Sequence, residues 1–252
     1  MLPFPLTIMD INKNLKLILR DVHVYDIESC HYTILNNMGF DLTGIDPKDK
    51  LGRNIKIGQM MRDNPKLTSL LRNTTESIIN DYINENNIQD SEIIIRQYDG
   101  IILTRTIPNT NIGHIPLERR KTFQIFITSI DRRKYIALDN NFEISIKGIP
   151  YRYEAMDNIY KELCRLVDVN KSSMFTRLQR IRDKIFESND STLFGIPTKN
   201  GKYIIFLNGY GEIQITKSTL RIMDTDDIDR ERYFKFYIEP FTKSIVYENV
   251  RR

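Results

Sequence analysis

Residues 92–105 constrain the fold more than any other stretch. They read EIIIRQYDGIILTR, two β-rich runs on either side of Tyr98-Asp99-Gly100. An Asp-Gly pair between such runs predicts a hairpin whose tight turn takes positive φ at both central residues. Upstream, residues 21–35 read as a strand running into a helix: Val22 and Val24 alternate with polar neighbours, and Tyr32, Ile34 and Leu35 follow. Residues 36–50 are rich in Asn, Asp, Gly and Pro and form a connection. From Lys66 to Asn84 the positions Leu67, Leu70, Leu71, Ile78, Ile79, Tyr82 and Ile83 recur at helical spacing.

Beyond the hairpin, strands are expected at 123–130, 134–138 and 142–147, then helices at 154–167 and 172–187. GKYIIFLNGYGEIQI reads as two strands around a glycine-containing turn. A last helix from about Asp227 aligns Phe234, Ile238, Phe241 and Ile245, with Pro240 interrupting and kinking it. This order predicts an α+β protein with a mainly antiparallel sheet and a mostly helical tail.

With 252 residues, 40% of them hydrophobic and 28% charged, the chain can bury one large core or two small ones. No run is long and apolar enough for a membrane span, and MLPFPLTIMD lacks the pattern of a signal peptide. Cys30 and Cys164 lack metal-ligand spacing and point to a reducing, intracellular setting. The three histidines form no zinc pattern. A net charge of +4 is too mild to identify a partner. Its distribution is more informative: Arg119, Arg120, Lys121, Arg132, Arg133 and Lys134 bracket one apolar run, and Lys171, Arg177, Arg180, Arg182 and Lys184 form a second cluster. Such groups suit a phosphate backbone, although solvated element faces have the same composition.

Asp26 ends one expected strand and Asp99 lies at the tip of the hairpin. If the strands are neighbours, two carboxylates converge, and converging oxygens bind hard cations such as Mg²⁺. A metal pair ~4 Å apart can activate an attacking hydroxyl and stabilise a leaving pyrophosphate. Taken singly, Asp26 also reads as a helix N-cap and Asp99 as turn chemistry.

Several blocks, in the right order, resemble family B DNA polymerases. Asp26-Ile27-Glu28-Ser29-Cys30-His31-Tyr32-Thr33-Ile34-Leu35 looks like that family's first palm motif, D-x-x-S-L-Y-P-S-I-I, with His31 in place of the tyrosine under the incoming sugar. Lys50-Leu51-Gly52-Arg53-Asn54-Ile55-Lys56-Ile57-Gly58 resembles the fingers motif K-x-x-x-N-S-x-Y-G. Gln97-Tyr98-Asp99-Gly100-Ile101-Ile102 is similar to D-T-D-S-I-F, with Gln97 where the first aspartate stands. Arg132-Arg133-Lys134-Tyr135 resembles the basic K-K-x-Y segment, Lys147-Gly148-Ile149 the K-G-I after it, and Ile228-Asp229 through Pro240 the thumb pattern.

The resemblance implies a polymerase-type palm with a mainly antiparallel sheet over 21–160, reduced fingers at about 36–64, a mostly helical thumb over 161–252 and an N-terminal extension over 1–20. It implies a DNA-directed DNA polymerase, or the catalytic C-terminal subunit of a split one, with primer–template DNA and deoxynucleoside triphosphates as partners. Asp26 and Asp99 would be catalytic, binding two Mg²⁺ ions (Mn²⁺ able to substitute) together with the Ile27 carbonyl. Ser29, His31, Lys50 and Asn54 would bind nucleotide; Arg132, Arg133, Lys134, Tyr135, Lys147 and Arg180 would grip DNA. With only the 1–20 extension before the palm, no proofreading exonuclease is expected, and a separate chain could carry the N-terminal and exonuclease domains. The expected location is intracellular, the host cytoplasm if the chain is viral. The alternative is a weak or inactive polymerase-derived DNA-binding scaffold of the replisome, favoured by Gln97 and the short fingers. Other readings of single residues stay open: Lys50 and Asn54 as helix surface, His31 as packing, 132–134 as a solvated turn, and Cys30 as a small buried apolar residue.

Overall fold

The computed structural model describes residues 16–108, 111–112, 115–149, 155–198 and 200–251. The expected extension as far as residue 15, and residue 154 at the start of the 154–167 helix, lie outside the described residues. The chain divides into two compact units, one of Asp21–Thr122 and one of Phe123–Arg252 with the described residues up to Arg20.

The Asp21–Thr122 unit is built on strand β1 (Ile18–Ile27), which enters it from the other unit. Helices α1 (Cys30–Asn37), α2 (Lys50–Asp63) and α3 (Pro65–Glu85) follow. Strands β2 (Ile93–Arg96) and β3 (Gly100–Leu103) form the expected antiparallel hairpin. Strand β4 (Asn111–Ile112) pairs with the start of β5 (Ile115–Thr128), which leads out of the unit. The strand order is β2-β3-β1, with β5 beyond β1. Leu67, Leu71, Ile78, Ile79, Tyr82 and Ile83 of α3 are buried, as their spacing predicts, whereas Leu70 is exposed. They pack in one apolar core with Tyr25 and Ile27 of β1, Ile34 and Leu35 of α1, and Ile101 and Leu103 of β3.

Residues 38–49 connect α1 to α2 without a helix, as expected. Asn, Asp and Gly make the turns: Asp41 accepts from the Thr43 N–H at 2.9 Å and Asp46 from the Lys48 N–H at 2.8 Å. Arg53 and Lys56 of α2 donate back to the carbonyls of Pro47 and Gly44, pinning the loop against the helix.

The hairpin forms for a different reason from the one its sequence suggests. Gly100 is absent from the residues with positive φ and is the first residue of β3. A Cβ at this position would collide with the Tyr25 carbonyl oxygen and stand 3.2 Å from Asp26 Cα. The glycine therefore allows close strand approach rather than a left-handed turn.

In the second unit, β5 pairs with β6 (Tyr135–Asp139) and β6 with β7 (Ile144–Lys147), all antiparallel. Helices α4 (Ala155–Arg165) and α5 (Lys171–Phe186) follow, then strands β8 (Ile196–Pro197), β9 (Tyr203–Leu207) and β10 (Gly211–Ile215), which form a small antiparallel sheet in the order β10-β9-β8. After α6 (Lys217–Ile222), helix α7 (Arg230–Tyr233) runs through a π-helical stretch, Phe234–Ile238, into α8 (Glu239–Arg251). Phe234, Ile238, Phe241 and Ile245 are buried together, as their spacing predicts. Pro240 is the second residue of α8, so the helical run passes it rather than stopping there.

The α+β class with a mainly antiparallel sheet is thus the observed one. Along the chain the two compact units divide between Thr122 and Phe123. Ile125, Ile127, Ile136 and Leu138 of the β5–β6 pair share a single core with Met156, Ile159 and Leu163 of α4 and Leu178 of α5. Strand β5 also begins at Ile115 rather than 123. Its early residues alternate, with Ile115 and Leu117 buried, before exposed Arg119–Lys121 breaks the pattern.

One buried polar contact ties the first unit together: the Ile107 N–H donates to the Tyr25 hydroxyl at 2.8 Å. Tyr25→Phe removes that acceptor and leaves a buried N–H unsatisfied, an expected loss of about 1–3 kcal/mol. Urea denaturation of the two proteins measures it.

Candidate nucleotide and metal site

The backbone brings Asp26 and Asp99 to one end of adjacent strands. Asp26 stands opposite Gly100 in the β1–β3 ladder, and the Ile27 N–H donates to the Asp99 carbonyl at 2.8 Å. Strict alternation along paired strands would send the side chains of positions 26 and 99 to opposite faces. The strand begins only at Gly100, however, so Asp99 belongs to the connection, and both aspartates line one cavity. Asp26 is in β1 rather than capping α1; the N-cap is Ser29, held left-handed at φ 53° without a side-chain capping bond.

The cavity has a volume of about 890 Å³ and lies wholly within the Asp21–Thr122 unit. Asp26, Ile27, Ser29, His31, Lys50, Asn54 and Asp99, every residue expected to touch metal or nucleotide, line it. One face of α2 forms a wall: Lys50, Arg53, Asn54, Ile57, Gly58 and Met61 recur at three- and four-residue intervals. The Asp49 side chain caps that helix by accepting from the Gly52 N–H at 3.0 Å, which fixes Lys50 as its first residue. Lys48, Arg53, Tyr98, Glu28 and Arg120 also line the cavity and were not assigned to it from sequence. Arg53, at i+3 from Lys50, was legible as part of the same helical face. Arg120 was not, because only strand pairing brings β5 to this place.

The site is strongly charged. Burial pushes the Cys30 thiol up to about 11; the Thr75 hydroxyl opposes this, while Asp99 and Asp26 add to it. Both carboxylates therefore act on the first residue of α1, and Cys30 is a buried, protonated thiol rather than a nucleophile. His31 Nε2 and the Tyr98 hydroxyl are 3.2 Å apart with the rings edge-on, a hydrogen bond whose direction follows the imidazole tautomer. Burial lowers the His31 pKa below its ordinary value, and Asp99 works in the opposite direction.

Asp26, Asp99 and Ile27, which line one cavity, offer hard oxygen atoms in their carboxylates and backbone carbonyl. Mg²⁺ is commonly bound by one or two carboxylates plus substrate phosphates, with water completing its shell. This set suits that chemistry and is too small for an all-protein cage. Among the described residues, no group of three or more His, Cys, Asp or Glu side chains gathers as a ligand set. Gln97 is not among the residues that line this cavity. It lines a different cavity of about 230 Å³ with Arg72, Glu76, Ile79, Asn80 and Arg96.

The residues expected to grip DNA lie in the other unit. Arg132–Tyr135 form the turn into β6, and Tyr135 pairs with Lys147 across β6–β7. Gly148, at φ 78°, packs so closely on the Arg133 carbonyl that a Cβ would collide with it. Burial raises the Asp131 carboxyl, but hydrogen bonds from Ser129 and the Arg133 N–H, with the Arg133 and Lys134 charges, leave it net lowered. Arg132 and Arg133 are exposed. Lys134 is engaged at the surface: its Nζ donates to the Phe236 carbonyl at 3.0 Å. That carbonyl lies one α-helical turn before Pro240, which has no N–H to offer it. Arg180 stands on α5, a separate element, where Arg177, Arg180 and Lys184 share an exposed face.

Residues 9–223 match the family described as Bacteriophage PBS1 gene 130 protein, and the chain belongs to that family. No curated protein matches the sequence. Among solved structures, the chain is similar to the family B DNA polymerase from the hyperthermophilic archaeon Pyrobaculum calidifontis, at 10% identity and a TM-score of 0.47. The match covers 93% of this chain and 46% of that one, so the chain spans about half the length of that polymerase. Among the described residues, no helix is long and apolar enough to cross a membrane.

The opposed influences on His31 predict its titration. Its NMR midpoint lies below the ordinary value of 6.5 in the native protein. Asp99→Asn removes the group that raises it, so the midpoint falls further. The neutral imidazole is the form that folding favours, so its stabilising contribution is present at high pH and is lost as pH falls through the unfolded-state value and then the folded one. An upward shift in Asp99→Asn contradicts this electrostatic picture.

Proposed function

We propose that the chain is a template-directed DNA polymerase, or the catalytic subunit of one, adding deoxynucleotides to a primer 3′ end. The observation that carries this reading is the single cavity in which Asp26, Asp99, Ser29, His31, Lys50 and Asn54 meet. These residues come from a strand, a turn and two helices far apart in sequence, and each belongs to a block that resembles family B polymerases.

Asp26, Asp99 and the Ile27 carbonyl would hold the Mg²⁺ ions, which supply hydroxyl activation and charge neutralisation at the transferring phosphoryl group. Lys50, at the start of α2, neutralises the triphosphate, and Asn54, one turn later on the same face, positions the nucleotide. Ser29 borders the triphosphate, and His31, backed by Tyr98, forms the surface beneath the sugar. Catalysis of this kind is mostly positioning and electrostatic stabilisation of spread phosphate charge. In the other unit, Arg132, Arg133, Lys134, Tyr135, Lys147 and Arg180 would hold the duplex by its backbone, without reading bases. Lys134 contributes least, since its ammonium already has the Phe236 carbonyl. The palm, reduced-fingers and thumb divisions, and a separate chain carrying the exonuclease, belong to the same proposal.

A second reading, an inactive DNA-binding replisome scaffold, is favoured by the diversion of Gln97 into the other cavity. Primer extension with Mg²⁺ and all four deoxynucleotides separates the two. The polymerase reading predicts extension by the wild type and at least a ~10³-fold loss in both Asp26→Ala and Asp99→Ala, on the scale of removing a principal electrostatic contact. Binding of primer–template without extension in all three proteins supports the scaffold.

A further inference from the structure

Arg120 is a cation in the cavity to which the preceding reading gives no role. It lies on β5, two residues after Glu118, so both project from the same face of the strand. Its Nη1 meets Glu118 at 2.8 Å, and its Nη2 meets Glu28 at 3.4 Å. Two carboxylates thus hold the two ends of one guanidinium. The contacts are unequal. The Glu118 distance is that of a charge-assisted hydrogen bond, whereas the Glu28 distance is well beyond it. The Glu28 side chain is also 60% exposed, so that ion pair contributes little to stability.

Glu28 and Arg120 both line the cavity with Asp26 and Asp99. The lining carries Lys48, Lys50, Arg53 and Arg120 against Asp26, Glu28 and Asp99. Arg53 is committed to the Pro47 carbonyl, and its guanidinium closes the loop before α2. Arg120 is therefore the guanidinium held at the cavity by side chains alone, through one firm contact and one loose one. A planar guanidinium with donors on two edges suits bidentate contact with phosphate oxygens.

We propose that Arg120 binds phosphate oxygens of the nucleotide in this cavity, with Glu118 orienting it and Glu28 acting as an internal competitor that the ligand displaces. The proposal rests on the nucleotide reading of the cavity and deepens it. The sheet then provides, from β5, an anion contact opposed in sequence and element to Lys50 of α2. Glu28 occupies Nη2 when the cavity is free of anions and swings away when phosphate arrives.

The test is calorimetric binding of Mg²⁺-dATP to the full chain, with KM and kcat from primer extension as a second readout. Glu28→Gln removes the competitor and is expected to tighten binding and lower KM severalfold. Arg120→Ala is expected to weaken it about tenfold or more, the scale of a hydrogen bond to a charged group. Arg120→Lys keeps the charge but loses the fork, is expected to fall between, and serves if the alanine variant does not fold. In the Arg120→Ala background Glu28→Gln should lose that gain, which separates release of Arg120 from the mere removal of a negative charge at the cavity. Unchanged or weaker binding in Glu28→Gln overturns the proposal, as does an equal gain in both backgrounds. Loss of binding in Asp26→Ala alone, with Arg120→Ala unaffected, sinks the role of Arg120 and leaves the cavity reading intact. No binding by the wild type overturns both.

Discussion

The close approach of β1 and β3 at Gly100 is the constraint on which the candidate site depends. The Ile27 N–H to Asp99 carbonyl bond extends the pairing one step beyond the end of β3, and the missing Cβ lets the Asp26 backbone lie against Gly100. Asp26 Oδ1 comes within 3.3 Å of the position a Cβ would take. Without that space the two aspartates would be held apart, or Asp99 would continue the strand and alternate to the other face. The core beneath it, in which Tyr25 and Ile27 pack with Ile101 and Leu103, makes the approach rigid. Chemistry at the strand ends is thus set by apolar packing a few residues away.

Around this fixed pair the remaining parts of the site are attached by local devices. A left-handed Ser29 starts α1, Asp49 caps α2, and Arg53 and Lys56 staple the short connection to the helix that carries Lys50 and Asn54. A twelve-residue connection needs such staples, because Gly, Asp and Asn make turns without making a core. The outcome is a cavity one wall of which is a helix face rather than a long loop. In the other unit, Lys134 shows how a basic side chain at the surface can bond a carbonyl that a proline leaves without its helical partner.

Much of the fold was legible because its signals are local. The apolar spacing in Lys66–Asn84 gave α3 to within a residue at each end, and the two β-rich runs around Asp99 gave the hairpin. What failed was the reason for the turn, since Asp-Gly chemistry and close backbone approach both call for glycine. The beginning of β5 was hidden by Arg119, Arg120 and Lys121, an exposed stretch inside a strand that carries no period-two signal. The unit division was hidden because the β5–β6 pair joins α4 and α5 in a core built from long-range contacts. At the site, residues within recognisable blocks came together as expected. Glu28 and Arg120 were missed as a pair because their meeting depends on strand order, which no window of sequence contains.

The most direct measurement of the central claim is uptake of Mn²⁺, followed by the loss of its free EPR signal, in the presence of dATP. Wild type, Asp26→Asn and Asp99→Asn would be compared, since the amides keep the shape and remove the charge. The account predicts saturable uptake by the wild type and a large loss of affinity in both variants. Equal uptake by all three proteins would contradict it, because the two carboxylates would then have no part in holding a divalent cation.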